Sequence, residues 1–279
     1  MRLAVTSRAR LAATAATTAA AAAALVYQQH REFEEITSDC AISEAHLPLS
    51  SEAQPTKVIR VPKLLSPSEV DAVHALAEEL LPKVGSAGRT DANQAAAYRK
   101  GSWETCYLST DGHFAQRMPW LRQRLVDACE EANRAHGWRM LERATTPVAP
   151  RCVEYHTVEP GGSLPYPHHH DAGSLVTIDV MLSDPHVDFE GGEFSTLEAD
   201  GELQRHADFE KGDALIFVSH KFHCVGPVTS GRRHVLVMEL WEGEERTCAH
   251  RCERHRGACG HTARMSFVRR ALNDLASDL

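Results

Sequence analysis

His169, Asp171, His223 and Arg233 are the residues of this 279-residue chain whose types and spacing best fit one chemistry. Two imidazoles and a carboxylate occupy one face of a ferrous ion and leave the opposite positions open. A 2-oxo acid fills two of those through its carboxylate and keto oxygens, and dioxygen another. The far carboxylate of such an acid then needs a cationic anchor away from the metal. A guanidinium suits that role because its planar fork holds a carboxylate by two hydrogen bonds. Strand alternation lets His169 and Asp171 share a face that His168 and His170 cannot join. It also puts Arg233, rather than Arg232, on the face of Val235 and Val237.

The His-x-Asp pair carries little weight alone. With 17 His and 14 Asp about one match is expected by chance, and the chain has three: His169/Asp171, His186/Asp188 and His206/Asp208. Context separates them. The first pair lies between Leu164-Pro165-Tyr166-Pro167 and the apolar run Leu175–Leu182, so its side chains can sit on a strand end and the adjoining turn. His186/Asp188 falls in a loop. His206/Asp208 precedes His223 by only 17 residues, room for one strand. Solvated loop residues account for both. His220 competes with His223 for the distal position, and the text that follows, His223-Cys224-Val225-Gly226-Pro227-Val228 and then Gly231-Arg232-Arg233, favours His223.

These residues need a scaffold of short strands. Val58–Leu65 reads as a strand leading into Ser66-Pro67-Ser68-Glu69, a capping box with proline at the first helical position. Val70, Val73, Leu76, Leu80 and Leu81 form the buried stripe of the helix that follows, and Pro82 is expected to end it. Residues 85–100 read as a mobile loop, a candidate substrate lid, and Trp103–Leu108 as a strand. A second helix is expected from about Pro119 to His136, stopped by Gly137. Beyond residue 147, strands are expected at Cys152–Val158, Leu175–Leu182, Glu193–Leu197, Ala214–Val218, His223–Val228 and Val235–Trp241. Two support helices followed by such an array predict a mainly β chain, a double-stranded β-helix (jelly roll) core packed against N-terminal helices. Thr177, Asp179 and Met181 share one face of the central strand and are candidate pocket liners.

Residues 150–242 resemble the catalytic domain of Fe(II)- and 2-oxoglutarate-dependent dioxygenases, in the prolyl 4-hydroxylase and lysyl hydroxylase branch. The matching text is His169-His170-Asp171, Asp188-Phe189-Glu190-Gly191-Gly192-Glu193-Phe194, Gly212-Asp213-Ala214-Leu215-Ile216-Phe217, and His223 through Arg233. Leu64-Leu65-Ser66-Pro67-Ser68-Glu69-Val70 resembles the opening of that family's N-terminal helix. The resemblance implies His169, Asp171 and His223 as iron ligands and Arg233 as the 2-oxoglutarate anchor. A family tyrosine that helps bind the co-substrate maps to Tyr155 or Tyr166, and Thr177 joins them as a candidate contact. Fe(II), 2-oxoglutarate and O2 are the implied cofactor and co-substrates, with ascorbate as reductant. The implied reaction decarboxylates 2-oxoglutarate to succinate while hydroxylating an unactivated C–H bond, on a prolyl or lysyl residue of a protein or peptide. Collagen-type prolyl 4-hydroxylases typically carry Lys where this chain has Arg233, and the text His169-His170-Asp171-Ala172, with Ser174 and Thr177, leans toward the lysyl type. Gly173 stands as a one-residue insertion in that pattern. A small-molecule hydroxylase and a non-catalytic jelly-roll metal-binding module are the alternatives; Arg233 argues against the second, since a structural metal needs no keto-acid anchor.

Charge and composition set outer bounds. Residues 1–31 hold four Arg and no acid, and the remaining chain carries 26 basic and 38 acidic residues, a net −12. Such a balance argues against nucleic acid as partner. Arg2, Arg8 and Arg10 followed by the uncharged run Leu11–Tyr27 read as a targeting or membrane-anchor segment. Entry to the secretory pathway and the endoplasmic reticulum, with membrane association through that segment, is the expectation, and organelle import the alternative. The division expected is 1–30 targeting or anchor, 31–57 linker, 58–245 dioxygenase domain and 246–279 a basic Cys-rich tail. That tail holds Cys248, Cys252 and Cys259 among His250, His255 and His261, with a short helix at Ser266–Ala276. The spacing fits no common zinc-finger pattern, so disulfides in an oxidising lumen are the preferred reading, Cys40 being a long-range candidate partner.

Overall fold

The structure is a computed structural model that describes residues 50–84, 87–88 and 102–259. The N-terminal targeting segment, Cys40, most of the 85–100 loop and the Ser266–Ala276 helix lie outside the described residues. Those from 50 to Gly257 belong to one compact unit. In chain order its elements are α1 (Ser50–Ala53), β1 (Ile59–Val61), α2 (Pro67–Val84), β2 (Ala87–Gly88), β3 (Trp103–Tyr107), α3 (His113–Arg117) and α4 (Pro119–Ala135). Then come β4 (Val148–Val158), β5 (Leu164–His169), β6 (Val176–Met181), β7 (Phe189–Gly191), β8 (Phe194–Leu197), β9 (Leu203–Arg205), β10 (Ala214–Val218), β11 (His223–Val225), β12 (Val228–Gly231) and β13 (Arg233–Glu242).

The strands form an antiparallel seven-stranded sheet ordered β1-β10-β6-β13-β4-β3-β2, a four-stranded sheet ordered β5-β11-β8-β9, and the pair β12-β7. Every strand of the large sheet's centre is buried on both faces, and its alternation sorts two cores. Val176, Ile178 and Val180 of β6, with Ala214, Ile216 and Val218 of β10, pack in the same core as Val73, Leu76, Leu80, Leu121 and Leu125 of the helices. The opposite face of those strands supplies Met181, Leu215 and Phe217 to a second core, which they share with Phe194 and Val225 of the small sheet. This is the expected mainly β double-stranded β-helix on helical supports.

Local chemistry explains the agreements and the misses. The Ser66 amide donates to the Glu69 carboxylate at 2.8 Å and the Glu69 amide to Ser66 Oγ at 3.4 Å, so the capping box starts α2 as expected. Pro82 does not end that helix, which runs to Val84, because a proline so near the C-terminus forfeits only one hydrogen bond. The expected strand His223–Val228 is two, broken at Gly226-Pro227, since proline cannot donate to a ladder. β5 escaped notice for the same reason: Pro165 and Pro167 are tolerated because it lies at the edge of its sheet.

Residues outside the expected 58–245 domain also contact that domain. α1 and Gln54, read as linker, dock on the core: Gln54 Nε2 donates to the His220 carbonyl at 3.1 Å, and the Phe222 amide donates to Gln54 Oε1 at 3.1 Å. The tail from 246 packs in the same unit up to Gly257. Arg246 stacks over Trp241, and its backbone amide donates to the Pro150 carbonyl at 3.1 Å. Among the described residues no helix is long and apolar enough to cross a membrane.

Candidate metal and co-substrate site

β5 and β11 are neighbours whose register pairs His169 with His223. The two imidazoles therefore meet across one strand pair, 4.9 Å apart between ring centres and nearly perpendicular. Asp171 follows in the turn after β5, its amide donating to the Ser219 carbonyl at 2.8 Å, with Oδ1 3.6 Å from His169 Nε2. One donor atom each from His169, Asp171 and His223 lies within 4.8 Å of the others. His168 instead packs by Phe222, and His170 by His220, as the alternation requires.

Hydrogen bonds aim these groups. His223 Nδ1 lies 3.0 Å from the Lys221 carbonyl, an acceptor only, so Nδ1 carries the proton and Nε2 offers its lone pair. Lys221 is itself pinned, its ammonium donating to the Gln54 carbonyl at 2.7 Å and to Glu198 at 3.0 Å. Thr177 Oγ1 donates to Asp171 Oδ2 at 2.8 Å, leaving Oδ1 directed at the imidazoles. Burial would raise the Asp171 carboxyl, but His223, His169 and Arg251 outweigh it and hold the group well below the ordinary carboxylate range. The site thus presents a charged carboxylate and two imidazoles, a donor set fitting Fe(II).

The triad lines a cavity of about 620 Å³, within the range of ligand sites. Arg233, the first residue of β13, lines the same cavity and is almost wholly buried. Its Nε meets no hydrogen-bond partner, and among the described residues the guanidinium makes no ion pair. Burial pushes it down to about 10, with Asp179 opposing. Asp179, also in the cavity, is raised well above the ordinary range by burial and by the charge of Asp171. A buried guanidinium whose Nε meets no acceptor favours an anion beside it. Gly192 keeps that guanidinium where it is: its φ is +64°, and a Cβ there would meet Arg233 Cδ at 2.9 Å.

The other expected co-substrate contacts do not reach the cavity. Tyr155 faces the helices from β4, and its hydroxyl lies 2.8 Å from His74 Nδ1. Tyr166 is half exposed beside His168. Thr177 acts on Asp171 instead. His206/Asp208 and His186/Asp188 form no site: His206 Nε2 pairs with Thr196 Oγ1, Asp208 with Arg60, and the Asp188 carboxylate accepts the Asp184 amide within a turn.

Several cavity residues escaped the sequence reading. On β4, His156 Nδ1 accepts Trp103 Nε1 at 2.6 Å, so its Nε2 donates to Glu154 at 2.9 Å. Glu239 on β13 accepts Ser174 Oγ at 2.5 Å and Arg251 Nε at 3.0 Å. Arg251 Nη2 also lies 3.2 Å from Asp171 Oδ1, bringing a tail residue to the proposed ligand. Charged residues at alternate positions of apolar strands, as in Cys152-Val153-Glu154-Tyr155-His156, were the available signal. Arg251 had none.

No family model and no curated protein matches the sequence. Solved structures do. The chain is similar to a prolyl hydroxylase in complex with a hypoxia inducible factor oxygen degradation domain peptide fragment from Trichoplax adhaerens, with 15% identity, TM-score 0.50, and 76% of this chain and 92% of that one covered. The fold is that of the 2-oxoglutarate–Fe(II) oxygenases. The chain is also similar to the non-heme α-ketoglutarate-dependent epimerase SnoN from nogalamycin biosynthesis, with 16% identity, TM-score 0.49, and 70% and 82% covered. A Pseudomonas putida prolyl-4-hydroxylase matches with 15% identity, TM-score 0.48, and 67% and 93% covered.

Proposed function

We propose that this oxygenase-fold protein is an Fe(II)- and 2-oxoglutarate-dependent hydroxylase of an unactivated C–H bond, with His169, Asp171 and His223 as metal ligands and Arg233 as the co-substrate anchor. The observation that carries the reading is Arg233: a buried guanidinium, its Nε without a partner, in the cavity that holds the triad. A folded chain tolerates such a group when a ligand anion completes it. Iron held by the triad would supply dioxygen activation coupled to decarboxylation of 2-oxoglutarate to succinate and CO2, with one oxygen atom entering the substrate. The chain's own work is orientation. Arg233 grips the distal carboxylate, Thr177 and the Lys221 carbonyl fix the ligand atoms, and the Phe194, Leu164 and Val225 walls keep water out.

The cavity lining favours a substrate with a cationic group. Glu154, Asp171, Glu239 and Glu253 face Arg233 and Arg251, an excess of carboxylates that a ferrous ion and 2-oxoglutarate leave unchanged in net charge. A lysyl side chain of a protein or peptide answers that excess better than a prolyl ring.

The test supplies Fe(II), 2-oxoglutarate and matched lysyl and prolyl peptides. Succinate release and a product with one added oxygen atom, favouring the lysyl peptide and absent in His169→Ala, are expected. A protein that neither binds Fe(II) nor shows any affinity for 2-oxoglutarate would overturn the reading. Oxygen insertion into the prolyl peptide alone would overturn the substrate class.

A further inference from the structure

We propose that the chain carries a second metal centre, a zinc(II) site built by the thiolates of Cys248 and Cys252 and the imidazole of His250, with water completing the tetrahedron. Donor atoms of Cys248, His250 and Cys252 lie within 4.8 Å of one another. A tetrahedral zinc with Zn–S bonds of about 2.3 Å holds its sulfurs roughly 3.8 Å apart, so these donors need only small adjustments to close on one ion. The donors differ from those of the iron triad in identity and chemistry, although His250 lines the same cavity. Thiolate-rich donors select zinc, whereas a two-imidazole, one-carboxylate face selects ferrous iron.

The surrounding strap explains why a metal would be useful. After β13, residues 244–257 contain no helix or strand. Their only buried apolar side chains are Cys248 and Cys252 themselves, so the strap has no hydrophobic core of its own. A stretch of that length without regular structure needs another device to hold it. Polar ties serve its two ends: Arg246 Nη1 donates to the Gly257 carbonyl at 2.7 Å and the Glu244 amide to the His255 carbonyl at 2.9 Å. Between them, the Cys252 carbonyl accepts Arg151 Nε at 2.6 Å, and Arg251 leaves the strap to pair with Asp171 and Glu239. Zinc at Cys248, His250 and Cys252 would fix Arg251 from both sides. Two thiolates and one imidazole leave the zinc centre with no net charge, so it needs no counter-ion from the strap. Loading releases the thiol protons, so affinity rises with pH.

The full-length protein, purified and kept under a thiol-free reductant, is the material for the test. Metal analysis after dialysis is expected to find one zinc per chain, kept in His223→Ala although that variant loses iron, and lost in the Cys248→Ser/Cys252→Ser double variant. This separates the zinc centre from the hydroxylase reading, since either can fail alone. Because the double variant could fail to fold, wild-type protein is also loaded with cobalt(II). A thiolate-to-cobalt charge-transfer band with tetrahedral ligand-field absorption is expected. No zinc and no charge-transfer band in the wild type, zinc kept by the double variant, or a Cys248–Cys252 disulfide in unreduced protein by peptide mapping would each overturn the proposal.

Discussion

Replacing Arg233 with methionine keeps the length of the side-chain stem and removes its charge, which should pull ligand affinity and intrinsic stability in opposite directions. In the free protein the guanidinium is buried, and burial pushes it down to about 10. That drop below the ordinary guanidinium value corresponds to about 3 kcal/mol against the charged form, an upper bound on what the folded state gains when the charge goes. A domain of this size shifts by roughly 2–4 °C per kcal/mol, so the free variant should melt a few degrees higher. Binding moves the other way. Breaking a buried carboxylate–guanidinium pair costs about 3–5 kcal/mol, so the 2-oxoglutarate Kd should rise at least about 10²-fold. Anaerobic calorimetry with Fe(II) and melting scans with and without 2-oxoglutarate measure both. Arg233→Lys should recover part of the affinity, because a point charge replaces the fork. If Arg233→Met binds 2-oxoglutarate within a few-fold of wild type, the anchor assignment is wrong.

Thr177→Val deletes the hydroxyl that donates to Asp171 Oδ2; Fe(II) affinity should fall about 10–100-fold by metal titration, with little loss of fold. Tyr155→Phe should leave the 2-oxoglutarate Kd unchanged and lower stability by about 1 kcal/mol in denaturant titration, because the hydroxyl's partner is His74 behind the sheet. His220 and His234 are both lowered to about 4, chiefly by burial, so the unfolded chain takes up protons that the folded one refuses. Stability should therefore fall as pH drops from about 6.5 toward 4, by on the order of 1 kcal/mol for each ring after solvent screening. His234→Gln should flatten that slope, and an equal slope would refute the assignment.

Sequence patterns exposed what repeats at a fixed period and hid what depends on contact between distant segments. The alternation of β6 and β10, the capping box of α2 and the choice of His169 over its two neighbours all follow from periods of two or from a four-residue cap. Register across β5 and β11 brought His223 to His169, and spacing along the chain could only suggest that pairing. Tyr155 was misplaced because a tyrosine in a doubly buried strand fits either core, and only the partner at His74 decides. Arg251 and Gln54 were invisible, since each lies in a segment whose composition reads as appendage, while Arg251 meets Asp171 and Gln54 holds the turn before His223.

The strap's arginine has a practical corollary for anyone trimming the chain. A polypeptide stopped at 245, where composition changes, would strip Asp171 and Glu239 of the counter-ion that Arg251 supplies at 3.2 and 2.9 Å. The two buried carboxylates would then repel each other, with Arg151 left beside Glu239 alone. Such a shortened product would hold the Asp171 carboxylate less firmly however intact its β-strands remained.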